Sequence, residues 1–326
     1  MKALVTGGAG YIGSVTVEAL LARGDNVTVL DNLSTGHSGA LFAGADFHQI
    51  DLLDTGPVTK LLAAGDFDAV IHFAAFSLVG ESVSDPEKYM RNNVCGTISL
   101  LNAMRAAGIR SIVFSSTAAT YGEPRSLPIT EDQPTLPANP YGLTKRFMEQ
   151  AMEAYDAAYG LRMASLRYFN AAGASAARGE EHRCETHLIP LVLQAALGKR
   201  ENVRIYGTDY RTPDGTCIRD YIHVEDLASA HLAALDYLAA GGESVICNLG
   251  NGNGFSVREV IEVCRQITGR PIPAVGASRR PGDPARLVAS SARAREKIGW
   301  NPAKYDLRVI VEDAWRWHRT HPNGYE

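Results

Sequence analysis

The first half of the chain alternates short apolar runs with longer amphipathic stretches. The apolar runs have the length of buried strands, and the stretches between them repeat apolar positions at helical spacing. This alternation is typical of a parallel sheet covered by helices on both faces. The predicted strands are Lys2–Val5, Asn26–Leu30, Phe47–Ile50, Ala69–Phe73, Ser111–Phe114 and Arg162–Leu166.

Amphipathic helices are predicted between these strands, and several are followed by a glycine. A glycine directly after a helix favours a left-handed cap, because it has no Cβ to clash. The predicted helices, with the closing glycine where there is one, are Ile12–Arg23 (Gly24), Val58–Ala64 (Gly65), Glu87–Ala107 (Gly108) and Tyr141–Tyr159 (Gly160).

The pattern changes after Arg167. Polar loops are predicted at 171–185 and 208–215, and the helices become shorter. One helix is expected to begin at Ser256, which has capping-box spacing with Glu259, and to end at Thr268; another spans 307–319, capped by Asp306. We therefore expect two domains, 1–167 and 168–326, with part of 216–250 returning to the first.

Composition and charge exclude several classes of protein. The 326 residues include 32 Lys plus Arg and 36 Asp plus Glu, a net charge of -4, which disfavours nucleic acid or an anionic membrane as the partner. The five cysteines are odd in number and widely spaced, so neither a disulfide framework nor a zinc ribbon is indicated. No signal-peptide core and no apolar run near roughly 18 residues is present. We expect a cytoplasmic protein.

A glycine-rich turn follows the first predicted strand and opens the first helix. Gly8, Gly10 and Gly13 satisfy the Gly-Xaa-Gly-Xaa-Xaa-Gly pattern, whereas Gly7, Gly10 and Gly13 satisfy a variant spaced by three. Such a turn brings the backbone close to a pyrophosphate and points the positive helix end at it. With the alternation of strands and helices, the turn predicts an α/β protein of Rossmann type with a doubly wound parallel sheet. The change of pattern after Arg167 adds a smaller C-terminal α/β substrate domain.

An acidic residue at the end of the second strand favours NAD as the dinucleotide. Asp31 lies 18 residues after Gly13, near the spacing of a carboxylate that binds the adenosine ribose. The alternative is a turn aspartate. Between Arg23 and Lys60 the sequence has no Lys or Arg to neutralise a 2′-phosphate. Asp51, followed by Leu52, either contacts adenine or caps the next helix.

Tyr141 and Lys145 are the candidate catalytic pair. They are four residues apart at the start of the helix after strand five, so both side chains face the crevice at the carboxyl ends of the strands. A phenol is a poor base at neutral pH, but a nearby ammonium and a cationic nicotinamide would stabilise the phenolate. Ser115, Ser116 and Thr117 close strand five, where their hydroxyls either bind a substrate oxygen or cap the strand.

With these motifs, the sequence resembles the extended short-chain dehydrogenase/reductases, and among them the nucleotide-sugar 4-epimerases, over nearly the whole chain. The second-domain segments are the more specific ones, because dehydratases, decarboxylases and reductases share those of the first domain. The matching segments are 6–13, 31–34, 72–75, 79–82, 92–94, 114–117, 121–122, 141–145, 167–173, 214–216, 219–224 and 279–283.

The resemblance implies an NAD-dependent inversion of C4 in a UDP-hexose, UDP-galactose to UDP-glucose, through a transient 4-keto sugar. Tyr141 would take the proton from O4, Thr117 would hydrogen-bond O4, and Lys145 would hold the nicotinamide ribose and lower the pKa of Tyr141. NAD would be regenerated within each turnover.

The resemblance also implies two sets of binding residues. Those at the cofactor are Gly7, Gly10, Tyr11, Ile12, Gly13, Asp31, Asn32, Ser34, Thr35, Gly36, Asp51, Leu52, Phe73, Ala74, Ala75, Asn92, Ser115, Tyr141, Lys145 and Tyr168. Those at the substrate are Thr117, Tyr141, Asn170, His187, Leu188, Arg204, Tyr206, Arg219, Tyr221, Arg280 and Asp283.

Guanidinium groups suit the diphosphate, because their planar forks bind phosphate oxygens with directional bonds. Arg219 and Arg280 are expected there together with Asn170, with Asp283 at the uridine ribose and Tyr206 near uracil. Two plain alternatives are open: Arg219 and Asp220 form a local ion pair, or Arg279 and Arg280 are a solvated loop.

Two positions depart from some relatives. Ser77 stands where some have a lysine, which removes one cofactor contact. Leu287, four residues after the Gly-Asp motif, stands where some epimerases have a bulky aromatic residue. We expect some tolerance for an N-acetyl group at C2, and UDP-pentoses and UDP-uronates are further alternatives.

Other functions have less support in the sequence. A 4,6-dehydratase or decarboxylase begins with the same oxidation, but a dehydratase typically has an Asp-Glu pair after Thr117, where this chain has Ala118-Ala119-Thr120. A non-enzymatic NAD sensor would not need Tyr141 and Lys145. His182, Cys184 and His187 could suggest a metal enzyme, but we expect no metal and a loop that borders the substrate.

A homodimer is expected by analogy with the family. The predicted helices 87–107 and 141–159 are long, and in relatives they pair across a two-fold axis as a four-helix bundle.

Overall fold

The structure, a computed structural model, describes residues 1–280 and 283–325. The strands, in chain order, are β1 (Lys2–Thr6), β2 (Asn26–Asp31), β3 (Asp46–Gln49), β4 (Ala69–His72), β5 (Ser111–Thr117), β6 (Arg162–Tyr168), β7 (Asn170–Ala172), β8 (Val203–Tyr206), β9 (Ile218–Arg219), β10 (Tyr221–His223), β11 (Val245–Leu249), β12 (Phe255–Ser256), β13 (Ala274–Ala277) and β14 (Arg286–Leu287). The helices are α1 (Tyr11–Arg23), α2 (Thr55–Gly65), α3 (Val79–Ser84), α4 (Pro86–Tyr89), α5 (Gly96–Ala107), α6 (Pro140–Tyr159), α7 (Leu188–Ala196), α8 (Val224–Ala239), α9 (Val257–Thr268), α10 (Ala292–Ile298) and α11 (Leu307–Thr320).

A seven-stranded parallel sheet forms the centre, in the order β11-β6-β5-β4-β1-β2-β3. The order reverses direction between β1 and β4, which opens a crevice at the carboxyl ends of these strands. The predicted doubly wound sheet of Rossmann type is therefore confirmed.

Successive residues of each central strand point to opposite faces, so the sheet is buried on both sides. Leu4 of β1 packs into one core with α2, α5 and α6, whereas Val5 packs into the other with α1 and α8. A separate core joins α7, α9 and α11 to β8 and β13 and stabilises the smaller lobe.

The structure adds a strand to the six that were predicted. Val245–Leu249 pairs in parallel with β6, and α8 before it packs against α1. The chain thus returns from the smaller lobe to the edge of the main sheet. The domain boundary at 167/168 stays a prediction.

Two helix predictions need correction. Asp66, and not Gly65, has the left-handed conformation after α2, with φ 46°. A Cβ at Gly65 would lie 2.0 Å from the Phe67 ring, so the glycine serves packing rather than capping. The predicted helix 87–107 contains a wider π turn at Met90–Cys95. Asn93 in that turn bonds the backbone of Phe76 through both side-chain atoms.

Other helix ends agree with the sequence. Gly24, Gly108, Gly160 and Gly269 are left-handed, and the Ser256–Glu259 capping box is formed. Asp306 caps α11 by accepting from Arg308 N at 2.8 Å. Within the described ranges, no helix combines the length and apolarity that crossing a membrane requires.

A buried ion pair ties α6 to β6 beneath the crevice. The Arg167 guanidinium donates to both carboxylate oxygens of Glu149, at 2.9 and 2.7 Å, and the hydroxyls of Ser116 and Ser165 donate to Oε1. Burial opposes ionisation of Glu149, but Arg167 and the two hydroxyls outweigh it and lower the pKa of the carboxyl. The register of α6 against the sheet depends on this pair.

Glu149→Gln should strongly destabilise the protein, because it leaves the Arg167 charge buried without its counter-ion. We expect a loss of about 3–5 kcal/mol in the free energy of unfolding, measured by chemical denaturation. Glu153→Gln is the matched control: the same helix and the same substitution, but an exposed carboxylate that meets Arg146 at the surface. It should cost less than about 1 kcal/mol. Equal losses would contradict the role of the buried pair.

Candidate active site

The geometry of the glycine turn favours the variant of the motif in which the glycines are three residues apart, Gly7, Gly10 and Gly13. Gly7 has φ 74°, and a Cβ there would lie 2.6 Å from Ala74 N. A Cβ at Gly13 would lie 2.2 Å from Gly7 O, whereas one at Gly10 would meet nothing closer than 3.4 Å. Gly7 and Gly13 therefore allow strand, turn and helix to touch, and Gly10 leaves the space before the helix open.

The start of α1 fits an anionic group. Gly10 is the N-cap residue and supplies no side-chain cap, and the first turn contains no acidic residue. The first amide N–H groups and the positive end of the helix dipole therefore face the open side of the turn. This is the arrangement that a dinucleotide pyrophosphate needs.

Asp31 lies beside the glycine turn at the end of β2. Its buried carboxylate accepts from Ala9 N at 3.0 Å and from Leu33 N at 2.8 Å. Burial raises its pKa, although the two backbone bonds act in the opposite direction. The Leu33 bond is that of a turn aspartate, and the Ala9 bond links the carboxylate to the predicted cofactor turn.

The loop after β2 meets the loop after β3 at the same edge. Asn32 Nδ2 donates to Asp51 at 2.8 Å. The alternative that Asp51 caps the next helix is wrong: Asp54 is the N-cap residue of α2, and Asp51 accepts from Leu53 N instead. A Cβ at Gly36 would lie 2.9 Å from the Ala9 side chain, so this loop closes over the glycine turn.

Local sequence places Tyr141 and Lys145 at the beginning of α6. Asn139 caps the helix by accepting from Gly142 N at 2.9 Å, and Pro140 occupies its first turn. Lys145 is buried and donates from Nζ to Ser115 O, at 2.8 Å. Its Nζ lies 6.0 Å from the centre of the Tyr141 ring. The pair therefore lies at the carboxyl end of β5.

Burial moves the two pKa values in opposite directions. It raises the pKa of Tyr141 to about 12, against a hydrogen bond with Thr117. It lowers the pKa of Lys145 to about 7, against the charge of Glu149. Because both neutral forms are favoured, the phenol needs an additional positive charge nearby before it can act as a base at neutral pH.

The end of β5 forms the wall next to this pair. Thr117 lies in the strand, three residues beyond the predicted end, and hydrogen-bonds with Tyr141. The Ser115 and Tyr168 hydroxyls hydrogen-bond to each other. The structure thus brings together the catalytic candidates Tyr141, Lys145 and Thr117.

The loop after β4 completes the cofactor side of the crevice. Phe73 N and Ala74 N both donate to Thr6 O, which holds the loop against the glycine turn. Asn92 donates to the Asn93 side chain from the π turn. Contacts with a dinucleotide stay predictions for the other cofactor residues, which are Tyr11 and Ile12 at the start of α1 and, in the loops, Ser34, Thr35, Leu52 and Ala75.

Arg219 and Asp220 do not pair, so that alternative is wrong. Asp220 is fully buried and accepts from three backbone N–H groups, those of Asn251, Gly252 and Ala289. Arg219 points away from it and forms an ion pair with Asp283. Both members of this pair are predicted substrate residues.

The Arg279–Arg280 segment contacts the smaller lobe. Arg280 stacks on the Tyr206 ring at 4.1 Å, whereas Arg279 pairs with exposed Asp209 at 2.8 Å. An open cleft of about 520 Å³ is lined by Glu123, Tyr210, Arg279, Arg280, Asp283, Pro284 and Ala285. Pro281 and Gly282, which belong to the recognised segment, lie outside the described residues.

The remaining substrate candidates are more dispersed. Asn170 and Tyr221 are opposite each other in the β7–β10 pair, and Tyr221 follows Arg219 by two residues. Arg204 is exposed on β8, and Leu188 is the first residue of α7. Burial opposes the charge on His187, but the Glu180 and Glu185 carboxylates outweigh it and raise its pKa to about 10.

Sequence reasoning missed several residues that position the site. Glu149 and Asn93 hold α6 and the loop after β4, and Asp220 anchors three backbone groups. The apolar surroundings of Glu149 in the helix pattern were a usable signal, since an acidic residue on a core face requires a partner. Asp220 gave no such signal, because its partners come from distant loops.

Comparison with known proteins places the chain among sugar-nucleotide enzymes. The profile of the NAD dependent epimerase/dehydratase family matches residues 3–250. The UDP-glucose 4-epimerase of Streptomyces lividans is 57% identical over 326 residues, which is 100% of this chain and 98% of that protein.

Solved structures agree over the whole chain. The UDP-glucose 4-epimerase of Brucella ovis in complex with NAD superposes with a TM-score of 0.94 at 48% identity, covering 97% of both chains. The enzyme of Bifidobacterium longum in complex with NAD+ and UDP gives a TM-score of 0.94 at 37% identity, covering 99% of this chain and 100% of that one.

Lys145 should give the nucleotide-free protein a distinctive pH dependence. Its pKa is about 7 when folded and 10.5 as the ordinary value, so between these values the unfolded chain binds the extra proton. Stability therefore rises with pH across this window, by up to about 1.4 kcal/mol per pH unit relative to Lys145→Met. Urea denaturation of both proteins at several pH values measures the difference.

Lys60→Met is the matched control, since Lys60 is exposed on α2. Its difference from the wild type should stay constant with pH. The same constancy for Lys145→Met would show that the ammonium is not desolvated.

Proposed function

The chain belongs to the NAD dependent epimerase/dehydratase family, and on this premise we propose that it inverts C4 of a UDP-hexose, converting UDP-galactose to UDP-glucose. Its cofactor is NAD. The observation that carries the proposal is the position of Tyr141 and Lys145, at the sheet edge where the glycine turn faces the crevice. NAD held there would supply the acceptor for the C4 hydride and the donor that returns it.

Tyr141 transfers the O4 proton in the proposed reaction, and Thr117 assists by binding O4. The Thr117 hydroxyl hydrogen-bonds with Tyr141, and a sugar O4 placed between the two side chains would be within reach of both. As the C4 hydride leaves, the O4 proton passes to the Tyr141 oxygen, which leaves a 4-keto sugar. The same proton returns to O4 when the hydride is delivered to the opposite face of C4.

Lys145 makes this proton transfer possible at neutral pH. Its Nζ is held by Ser115 O, so the ammonium cannot turn away from the crevice. A protonated Lys145 next to a cationic nicotinamide favours the phenolate over the phenol. Burial alone raises the pKa of Tyr141 and favours the neutral phenol, so its ionisation depends on the positive charges nearby.

The UDP moiety must stay fixed while the sugar turns over. Arg219 is buried and oriented by Asp283, and the Arg280 guanidinium lies over the Tyr206 ring. Two guanidinium groups in fixed orientations suit the two phosphates of a diphosphate. Asn170, opposite Tyr221, supplies an amide at the same end of the smaller lobe.

The structure gives no support to elimination chemistry. Residues 118–120 form a single 3₁₀ turn after Thr117, and the side chains there are those of Ala118, Ala119 and Thr120. A 4,6-dehydratase needs an acid and a base for C5 and C6, and this turn supplies neither. Epimerisation uses only the groups that are present.

Other UDP-sugars remain alternatives, and Leu287 favours one of them. Leu287 is half-buried in β14, opposite Arg219, so it borders the predicted substrate residues. A leucine leaves more room than a bulky aromatic side chain, which supports acceptance of an N-acetyl group at C2. Failure to convert UDP-N-acetylglucosamine while UDP-glucose is converted would reject this idea.

We further propose a cytoplasmic homodimer. All five cysteines are free, which fits a reducing compartment. Helices α5 and α6 lie side by side, joined by a hydrogen bond from Tyr155 to Asn102 at 2.9 Å. Phe147 of α6 is 40% exposed, an apolar side chain suited to the centre of a four-helix bundle.

Tyr141→Phe should abolish the conversion of UDP-galactose to UDP-glucose, because it removes the group that carries the proton. We expect a loss of about 10²–10⁴-fold in kcat with the fold intact. The assay incubates the purified protein with UDP-galactose without added NAD and separates the nucleotide sugars. Tyr159→Phe, which removes an exposed hydroxyl from the same helix, should leave the rate unchanged.

Either of two results would overturn the assignment. Undiminished turnover by Tyr141→Phe would remove Tyr141 from its role, and a 4-keto-6-deoxy product would indicate a dehydratase.

Phe147→Asp should convert the dimer to a monomer, because it buries a charge at the centre of the proposed bundle. Light scattering at micromolar concentration measures the mass. Leu136→Asp, at a more exposed leucine outside α5 and α6, should remain a dimer. A monomeric mass for the wild type would refute the proposed assembly.

A further inference from the structure

Four potential metal ligands converge in the loop that leads into α7. Glu180, His182, Glu185 and His187 each present one ligand atom, and all four atoms lie within 4.8 Å of one another. The cluster does not include Tyr141, Lys145 or Thr117, and it shares His187 with the predicted substrate contacts.

The nitrogen–oxygen distances of the cluster are close to those between neighbouring ligands of a tetrahedral site. His187 Nδ1 lies 2.9 Å from Glu185 Oε1 and 3.0 Å from Glu180 Oε1. His182 Nδ1 lies 3.1 Å from Glu185 Oε2 and 3.6 Å from Glu180 Oε1. Four ligands placed tetrahedrally at zinc bond lengths are roughly 3.3 Å apart, which lies inside this range.

The two carboxylates of the cluster are buried. The Glu180 and Glu185 side chains are only 5% and 6% exposed. Within residues 1–280 and 283–325, the ion pairs of these two carboxylates involve only His182 and His187. Two buried carboxylates therefore face imidazoles rather than a permanently charged Lys or Arg.

A second cluster shows the contrast. His223, Glu225 and Asp313 also converge, but Lys304 Nζ binds both carboxylates, at 2.8 Å in the case of Asp313. The ammonium already supplies the positive charge there. Among the described side chains, no Lys or Arg forms an ion pair with Glu180 or Glu185, whose partners are His182 and His187.

The surrounding contacts fix the loop on both sides of the cluster. Tyr325 OH bonds Gly179, and Tyr325 N donates to Glu181 at 2.7 Å. His182 packs edge-on against Tyr11 at the start of α1, and His187 is the N-cap residue of α7. A bound ion would therefore tie the cofactor turn to the helix that carries Leu188.

We propose that Glu180, His182, Glu185 and His187 bind one Zn²⁺ as a structural site. Two imidazole nitrogens and two carboxylate oxygens form a donor set that zinc accepts, and four protein ligands leave no open position for catalysis. This proposal departs from the expectation of no metal. Cys184, considered from the sequence with His182 and His187, is exposed and lies outside the four ligands.

The test is the zinc content of the full-length protein, expressed in zinc-supplemented medium and dialysed against buffer without chelator. We expect about one zinc per chain in the wild type, and a visible spectrum of tetrahedral Co²⁺ after cobalt exchange. A strong chelator should lower the thermal midpoint, since an ion that binds only the folded state stabilises it.

His182→Ala combined with Glu180→Gln should lose at least nine-tenths of the zinc, whereas Cys184→Ser, in the same loop, should retain it. A wild type that holds no zinc and shows no thermal shift on zinc addition would overturn the proposal. So would equal zinc content in the double variant, because the ion would then lie elsewhere. Neither result bears on the epimerase assay.

Discussion

The contact between Lys145 Nζ and the carbonyl of Ser115 is the interaction on which the site depends. It joins the second turn of α6 to the end of β5, at the crevice where the strand order of the sheet reverses. A charged side chain is stable in so buried a position only with partners, and the Glu149–Arg167 pair lies one turn below it. The catalytic candidates are therefore fixed by the core and not by a loop.

Burial shifts the pKa values of the two catalytic candidates in opposite directions, and both shifts favour a neutral side chain. It raises the pKa of Tyr141 and lowers that of Lys145, so both side chains tend towards their neutral forms without the cofactor. A cationic nicotinamide bound beside these buried side chains would change the balance for the phenol, because a charge acts more strongly in surroundings of low dielectric constant. The chemistry is thus coupled to cofactor binding.

Much of this could be predicted from the sequence, because the central strands are short apolar runs and the glycine turn has fixed geometric requirements. Part of 216–250 was expected to return to the first domain, but Val245–Leu249 was not predicted as a strand, because its partner β6 lies some eighty residues earlier in the chain. The Arg219–Asp220 alternative failed because successive residues of an extended chain point to opposite sides. Gly65 was wrongly predicted to cap α2, because the sequence does not reveal that the Phe67 ring packs against it.

The most direct test is the ionisation of Tyr141 with NAD bound. The difference in phenolate absorbance between the wild type and Tyr141→Phe, followed against pH, gives the pKa of this one side chain. We predict that it lies several units below the value of about 12 that burial alone favours. A pKa that stays at about 12 in the NAD-bound protein would contradict the account, since Tyr141 could not then serve as the base.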